Sequence, residues 1–193
     1  MPGKTTIPLD KDQYINIIKA LYDGIPDIIR PNERTALVLE TEANTGLRCG
    51  DVLNLTLDRI TKDNDGYLLN ITEQKTGKKR TFAMADDLYK LLREYANNYS
   101  IKGNEKLFPI SIRAIQKNLN IVCEYLGYSG ISTHSFRKFF GMQLYEIDHD
   151  IELVKRVYQH SSVAITSRYL GISNKKINKA IRSTVNIVRA CNG

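Results

Sequence analysis

The sequence predicts an α+β fold, mostly helical, with one small three-stranded antiparallel sheet. Apolar residues recur at helical spacing on both sides of residues 56–84, and within that window the period falls to two. Asn64-Asp65-Gly66 and Lys75-Thr76-Gly77-Lys78 then divide the window into short strands. No Pro-, Gly- or Ser-rich linker and no internal repeat interrupts the 193 residues, a length that buries one good core. A single domain over 1–193 is therefore expected.

The first helix spans about residues 10–22, where Asp10 and Gln13 form a capping-box pattern ahead of Tyr14, Ile17, Ile18 and Leu21. A second runs over about 32–45 after Pro31, with Gly46 as a left-handed stop. A third, short one starts near Arg48 and carries Val52, Leu53 and Leu55. TLDRI, GYLLNITEQ and KRTFAM read as the three strands. Helical periodicity returns in DDLYKLLREYANNY, SIRAIQKNLNIVCEYLG, THSFRKFFGMQLYE, IELVKRVYQH and SSVAITSRYL. A last helix over about 174–189 lines up Ile177, Ile181, Val185 and Val188 as one apolar stripe.

Lys and Arg outnumber Asp and Glu by 28 to 21, giving a net charge of +7 and a pI near 9.2. That balance suits a polyanionic partner, either nucleic acid or an anionic membrane surface. No stretch approaches the roughly 18 apolar residues of a membrane span, and MPGKTTIPLD lacks the apolar run of a signal peptide. A cytoplasmic protein is expected. Cys49, Cys123 and Cys191 are odd in number, far apart and without CxxC spacing, so reduced, mostly buried thiols are expected rather than a disulfide framework or a zinc site.

Five separate segments hold residues suited to a phosphodiester: Arg48 in TGLRCGDVLNL, Lys75 in EQKTGKK, His134 and Arg137 in THSFRKFF, His160 in YQHSS and Tyr169 in ITSRYLG. Each has an ordinary reading when taken alone. Arg48 can pair with Asp51, Lys75 can belong to a solvated basic stretch with Lys78, Lys79 and Arg80, His134 can sit beside a Ser132-Thr133 helix cap, and Tyr169 can be one of eleven tyrosines filling the core. Their joint order and setting are more specific. An Arg after Thr-Gly opens a helix, a Lys sits on a hairpin turn, His-x-x-Arg follows, and a His precedes a Tyr by nine residues.

In these features the chain resembles the tyrosine site-specific recombinases of the phage-integrase family, and the match extends over about residues 7–172. The resemblance implies a tyrosine-recombinase catalytic domain that cuts and rejoins double-stranded DNA through a 3′-phosphotyrosyl intermediate on Tyr169. Planar guanidinium forks on Arg48 and Arg137 suit the non-bridging oxygens of a phosphate under in-line attack, with His160 as a third donor. His134, one helical turn from Arg137, is the candidate base or phosphate-orienting group. Lys75 is the candidate acid for the leaving 5′-oxygen. Covalent catalysis of this kind needs neither ATP nor metal, and no cofactor is expected.

The resemblance further implies a monomer that assembles as a tetramer on DNA, with no membrane partner, and a role in integrating or excising a phage or conjugative element in the bacterial cytoplasm. Residues 173–193 are expected to dock onto a neighbouring protomer, and the core-binding domain that precedes this region in the family is absent, as in an excised fragment. Two rival functions use the same fold: a type IB topoisomerase-like enzyme, and a DNA-binding regulator that has lost catalysis. Asp51 stands where the family often has Glu, as a shorter carboxylate able to buttress Arg48. Lys138 replaces a frequent His and is expected to matter little, and Gln159 replaces a frequent Gly. His149 is expected to be a solvated loop residue, and Phe136, Phe139 and Phe140 to belong to the core.

Overall fold

The computed structural model describes residues 6–171, which divide after Gly141 into two compact units. Cys191, the helix expected over 174–189 and the proposed docking segment lie outside the described residues.

The first unit is built around α2 (Glu33–Thr45), whose Thr35–Leu39, Thr41–Ala43 and Thr45 are buried. A helix buried on nearly every side is a core helix rather than an amphipathic surface one. Asn32 starts it by accepting the Thr35 amide at 3.0 Å, and Gly46, at φ 63°, ends it in the left-handed region as the sequence predicts. Against it lies α1 (Lys11–Asp23), whose Asp10–Gln13 capping box is fully formed and whose Ile17, Ile18 and Leu21 are buried. The helices α4 (Asp86–Asn98) and α5 (Ile112–Tyr125) also pack on α2, burying Leu88, Leu92 and Tyr95, and Ile115, Leu119 and Val122. Each such apolar side chain contributes about 1.5–3 kcal/mol when fully buried.

The short α3 (Cys49–Val52) follows α2, and the sheet comes next. Its strands β1 (Ile60–Lys62), β2 (Tyr67–Thr72) and β3 (Lys79–Met84) pair antiparallel in that order, with Leu69 opposite both Ile60 and Phe82. The sheet is as expected, but its first strand starts later than TLDRI. Residues Leu57–Arg59 form a 3-10 turn instead, because the Thr56 hydroxyl bonds the Asp58 carboxylate and the Asp58 amide donates to the Gly103 carbonyl at 2.9 Å. Such side-chain bonds offer the backbone an alternative to a sheet ladder.

The last helix of this unit, α6 (Thr133–Asp148), continues into the second unit. Phe136 and Phe139 are buried as expected, and Tyr14 stacks on Phe139 with ring centroids 4.8 Å apart. Phe140 is half-buried. The second unit adds α7 (Ile151–Tyr158) and α8 (Val163–Leu170), with Val154, Tyr158, Thr166 and Leu170 buried. His149 is exposed between α6 and α7 at φ 53°, with its ring against Tyr145. Cys49 and Cys123 are buried free thiols. No helix among the described residues is long and apolar enough to cross a membrane.

Glu42 is the anomaly of α2. Thr41 and Thr45 satisfy their buried hydroxyls on the Leu37 and Thr41 carbonyls, but both Glu42 carboxyl oxygens lie buried without a hydrogen-bond partner. Burial drives this carboxyl well above the ordinary range, against the opposing pull of Arg137 and the Cys49 amide, and so favours its protonated form. A carboxyl raised in the folded state contributes stability that is complete below its ordinary 4.5 and fades as pH rises through the folded value. Glu42→Gln, which does not ionise, should therefore gain on the parent as pH rises from 5 to 8, by about 1.4 kcal/mol for each pH unit over which the folded carboxyl keeps its proton and the unfolded one does not. Thermal denaturation at the two pH values measures this, and a pH-independent difference would refute a protonated Glu42.

Candidate active site

Arg48 owes its place to the turn that ends α2. Gly46 reverses the chain, Leu47 is buried beneath it, and Arg48 then opens α3 in an extended conformation. Its Nη1 lies 3.0 Å from Glu73 Oε2 and 3.9 Å from Asp51 Oδ2. Asp51 is thus a distant buttress, and the bonded one is Glu73. Instead Asp51 Oδ1 accepts the Gln74 amide at 2.8 Å, tying α3 to the end of β2.

Lys75 is exposed on the turn between β2 and β3. Alternation along β2 explains its setting: the face that buries Leu69 and Ile71 also turns Glu73 inward, where it is 3% exposed. Arg80, opposite Ile71 on the same face, places Nη1 2.7 Å from Glu73 Oε1. Burial raises the Glu73 carboxyl, but hydrogen bonds from Arg80, Thr76 and Arg48 outweigh that and hold it at about 2. The charge of Glu73 is therefore permanent.

His134 and Arg137 occupy the start of α6. The Thr133 amide donates to Gln116 Oε1 at 3.3 Å and the Ser132 amide to Ser135 Oγ at 3.2 Å, so the helix start is anchored on α5 and on its own first turn. His134 is exposed, whereas Arg137, one turn on, is 3% exposed. Partial burial first, then Arg137, Lys138, Arg48 and Lys75 in that order, push His134 below its ordinary 6.5. Four cations acting on one ring show that three segments far apart in sequence converge there. Arg48, Asp51, Gln74, Lys75, Thr133 and His134, with Cys49, Gly50 and Ile112, line one cavity of about 270 Å³. Lys138 is buried and donates to the Thr6 carbonyl at 2.5 Å, so the residue expected to matter little fastens the N-terminal segment to α6.

His160 and Tyr169 belong to the second unit and lie together there. Gln159 ends α7 in the left-handed region at φ 54°, the His160 amide donates to the Lys155 carbonyl at 3.0 Å, and Ser162 caps α8 by accepting the Ile165 amide. The rings of His160 and Tyr169 meet edge to face at 5.2 Å, and Tyr158 contacts both at 5.4 Å. Tyr169 is half-buried. His160 Nδ1 lies 3.1 Å from Thr166 Oγ1, and that hydroxyl donates to the Ser162 carbonyl. Thr166 thus fixes the imidazole through Nδ1, which leaves Nε2 at the other side of the ring.

The arrangement gives the first unit a guanidinium, an ammonium and a mostly neutral imidazole at one cavity, and the second a phenol beside an imidazole. Sequence reasoning missed Glu73, Arg80 and Glu42. For Glu73 the signal was present, since Tyr67, Leu69, Ile71 and Glu73 share one strand face.

Comparison with known proteins shows the family. Residues 8–176 match the family described as "Phage integrase family". The probable integrase/recombinase YoeC of Bacillus subtilis is 32% identical over 177 residues, which cover 88% of this chain and 95% of YoeC. Among solved structures, the XerH site-specific recombinase bound to difH substrate superposes with a TM-score of 0.67 at 22% identity, covering 86% of this chain and 50% of XerH. The catalytic domain of bacteriophage HP1 integrase superposes with a TM-score of 0.62 at 20% identity, covering 92% of this chain and 94% of that domain. The chain spans about half the length of the Xer recombinases it also matches. A family match over most of the described residues, a relative aligned nearly end to end, and a mostly helical fold with a three-stranded sheet agree: the chain belongs to the phage integrase family, the tyrosine recombinases.

Proposed function

We propose that the chain is a site-specific DNA recombinase that cleaves and rejoins double-stranded DNA through a 3′-phosphotyrosyl bond at Tyr169, in the integration or excision of a phage or conjugative element. The observation that carries this reading is the cavity of about 270 Å³ where Arg48, Lys75 and His134 converge in a member of this family. XerH, similar in fold, was solved bound to its DNA substrate, and the net charge of +7 suits the same partner here. A tetramer formed on DNA from monomers is part of the proposal, as is catalysis without metal or small-molecule cofactor.

In this mechanism Arg48 and Arg137 hold the non-bridging oxygens of the scissile phosphate, where negative charge grows during in-line attack. Each charge-assisted bond contributes about 1.5–3 kcal/mol, and more where it forms best in the transition state. His160 adds a bond through Nε2 wherever that nitrogen carries a proton. The Tyr169 oxygen attacks phosphorus, its proton passes to a base, and the bond to the 5′-oxygen breaks. Lys75 gives that oxygen its proton. The phosphotyrosine keeps the phosphodiester's energy until a 5′-hydroxyl from the partner duplex attacks it and restores the phenol.

The direct test incubates the chain with a pool of nicked duplexes of randomised sequence and captures DNA that stays attached under denaturing conditions. Wild type is expected to yield a slow-migrating protein–DNA band and Tyr169→Phe none; an equal yield from both would place the nucleophile elsewhere. The pH profile tests His134. Partial burial, and after it the neighbouring cations, disfavour its imidazolium, so the base form persists to lower pH than in an ordinary histidine. Cleavage of a duplex recovered from that pool should hold from neutrality to about pH 6.5 and decline only below it, and His134→Gln should lose about 10²-fold or more. An acid limb centred above neutrality would exclude His134 as the base.

A further inference from the structure

We propose that Glu73 is a positioning residue that binds the Lys75 turn to Arg48, so that the grip on the phosphate and the delivery of the leaving-group proton come from one rigid unit. The proposal rests on the recombinase reading above and names a residue which that reading leaves without a role.

Glu73 is a buried carboxylate with a three-way contact. Its Oε2 accepts both Arg48 Nη1 at 3.0 Å and the Thr76 hydroxyl at 2.8 Å, and its Oε1 takes Arg80 Nη1 at 2.7 Å. One oxygen is thus shared between the phosphate-gripping arginine and the residue next to Lys75. The backbone closes the same turn, since the Gly77 amide donates to the Glu73 carbonyl at 2.8 Å and the Glu73 amide to the Lys78 carbonyl at 3.0 Å. Gly77, at φ 67°, suits the left-handed region that this tight turn requires. A second tie runs from the Gln74 amide to Asp51.

An exposed lysine on a free hairpin turn samples many rotamers, and a proton donor acts only when held within hydrogen-bond reach of its target. The sheet edge alone does not supply that restraint. Thr76 and Glu73 hold the turn's backbone at a fixed offset from the Arg48 guanidinium, and therefore from whatever phosphate Arg48 holds. Arg80 balances the second oxygen, so that Glu73 remains charged and its Oε2 stays directed toward Arg48 and Thr76.

The test replaces the 5′-bridging oxygen of the recovered nicked duplex with sulfur. A departing thiol has a pKa near 8.5 and leaves as the anion without an acid, whereas an alkoxide needs the proton from Lys75. The sulfur-to-oxygen ratio of cleavage rates therefore reports proton delivery and is independent of how much of a variant is folded. Lys75→Ala should lose about 10²-fold or more on oxygen and recover most of it on sulfur. Glu73→Gln and Thr76→Val are expected to raise the same ratio by about 10-fold or more, in the direction of Lys75→Ala. Thr76→Val keeps the test decisive if Glu73→Gln misfolds, because Thr76 is exposed and the change leaves the Arg48–Glu73 pair intact. Equal losses on both substrates in these two variants, with Lys75→Ala still rescued, overturn the role of Glu73 alone. A Lys75→Ala that sulfur does not rescue removes Lys75 as the acid and overturns this proposal, while a wild type without adduct brings down the recombinase reading as well.

Discussion

Positive side chains gathered at one hollow repel each other. Two unit charges 4 Å apart do so by about 4 kcal/mol at the effective dielectric of a protein surface. The first unit brings Arg48, Lys75, Arg137 and Lys138 within electrostatic reach of a single imidazole, so it needs local compensation. Two buried carboxylates supply it: Glu73 carries a firm charge, and Asp51 lies beside Arg48 and anchors a backbone amide. Glu42, buried near Arg137, is instead pushed toward its neutral form. The cluster of cations is thus stabilised by one acid that does not itself face the cavity, Glu73, and one that does, Asp51.

The buried acids are placed by simple periodicities. Glu73 is inward because β2 alternates, Asp51 lies one helical turn beyond Arg48, and Glu42 sits in a helix buried on nearly every side. Acidic side chains at such positions cost stability unless something offsets them. Glu73 is offset by two guanidinium groups and a hydroxyl, whereas the Glu42 carboxyl oxygens are buried without such donors. The two carboxyls are pushed in opposite directions, Glu73 down and Glu42 up, and the difference lies in how many donors each can reach.

Much of this architecture was legible in the sequence because it is local. Asp10 with Gln13, Asn32, Ser111 and Ser162 each accept an amide in the first turn of the helix they begin, and Gly46 ends α2 in the left-handed region. The six residues expected to handle a phosphodiester were legible as an ordered set, and three of them share a cavity. What was not legible depends on distant partners. TLDRI has the composition of a strand, yet the Asp58 amide finds the Gly103 carbonyl, 45 residues on, and the chain turns. Arg80 looked like part of a solvated basic stretch, but strand register sets it opposite Ile71 on the buried face. The buttress of Arg48 was sought at Asp51 because sequence proximity favours an i, i+3 pair.

That misplacement has a physical cause. Asp51 occupies the position where a glutamate is frequent in the family, and its side chain is one methylene shorter. Having committed Oδ1 to the Gln74 amide, it leaves Oδ2 at 3.9 Å from the guanidinium, outside hydrogen-bond range. Arg48 then finds its strong partner in Glu73, 25 residues away, at 3.0 Å. The shorter acid therefore does more than weaken a local pair. It frees the arginine to bond across to the sheet and uses its own carboxylate to fix the backbone beside Lys75. Both contacts fasten the helix of Arg48 to the turn of Lys75, so two cations that line one cavity are held at a fixed offset from each other.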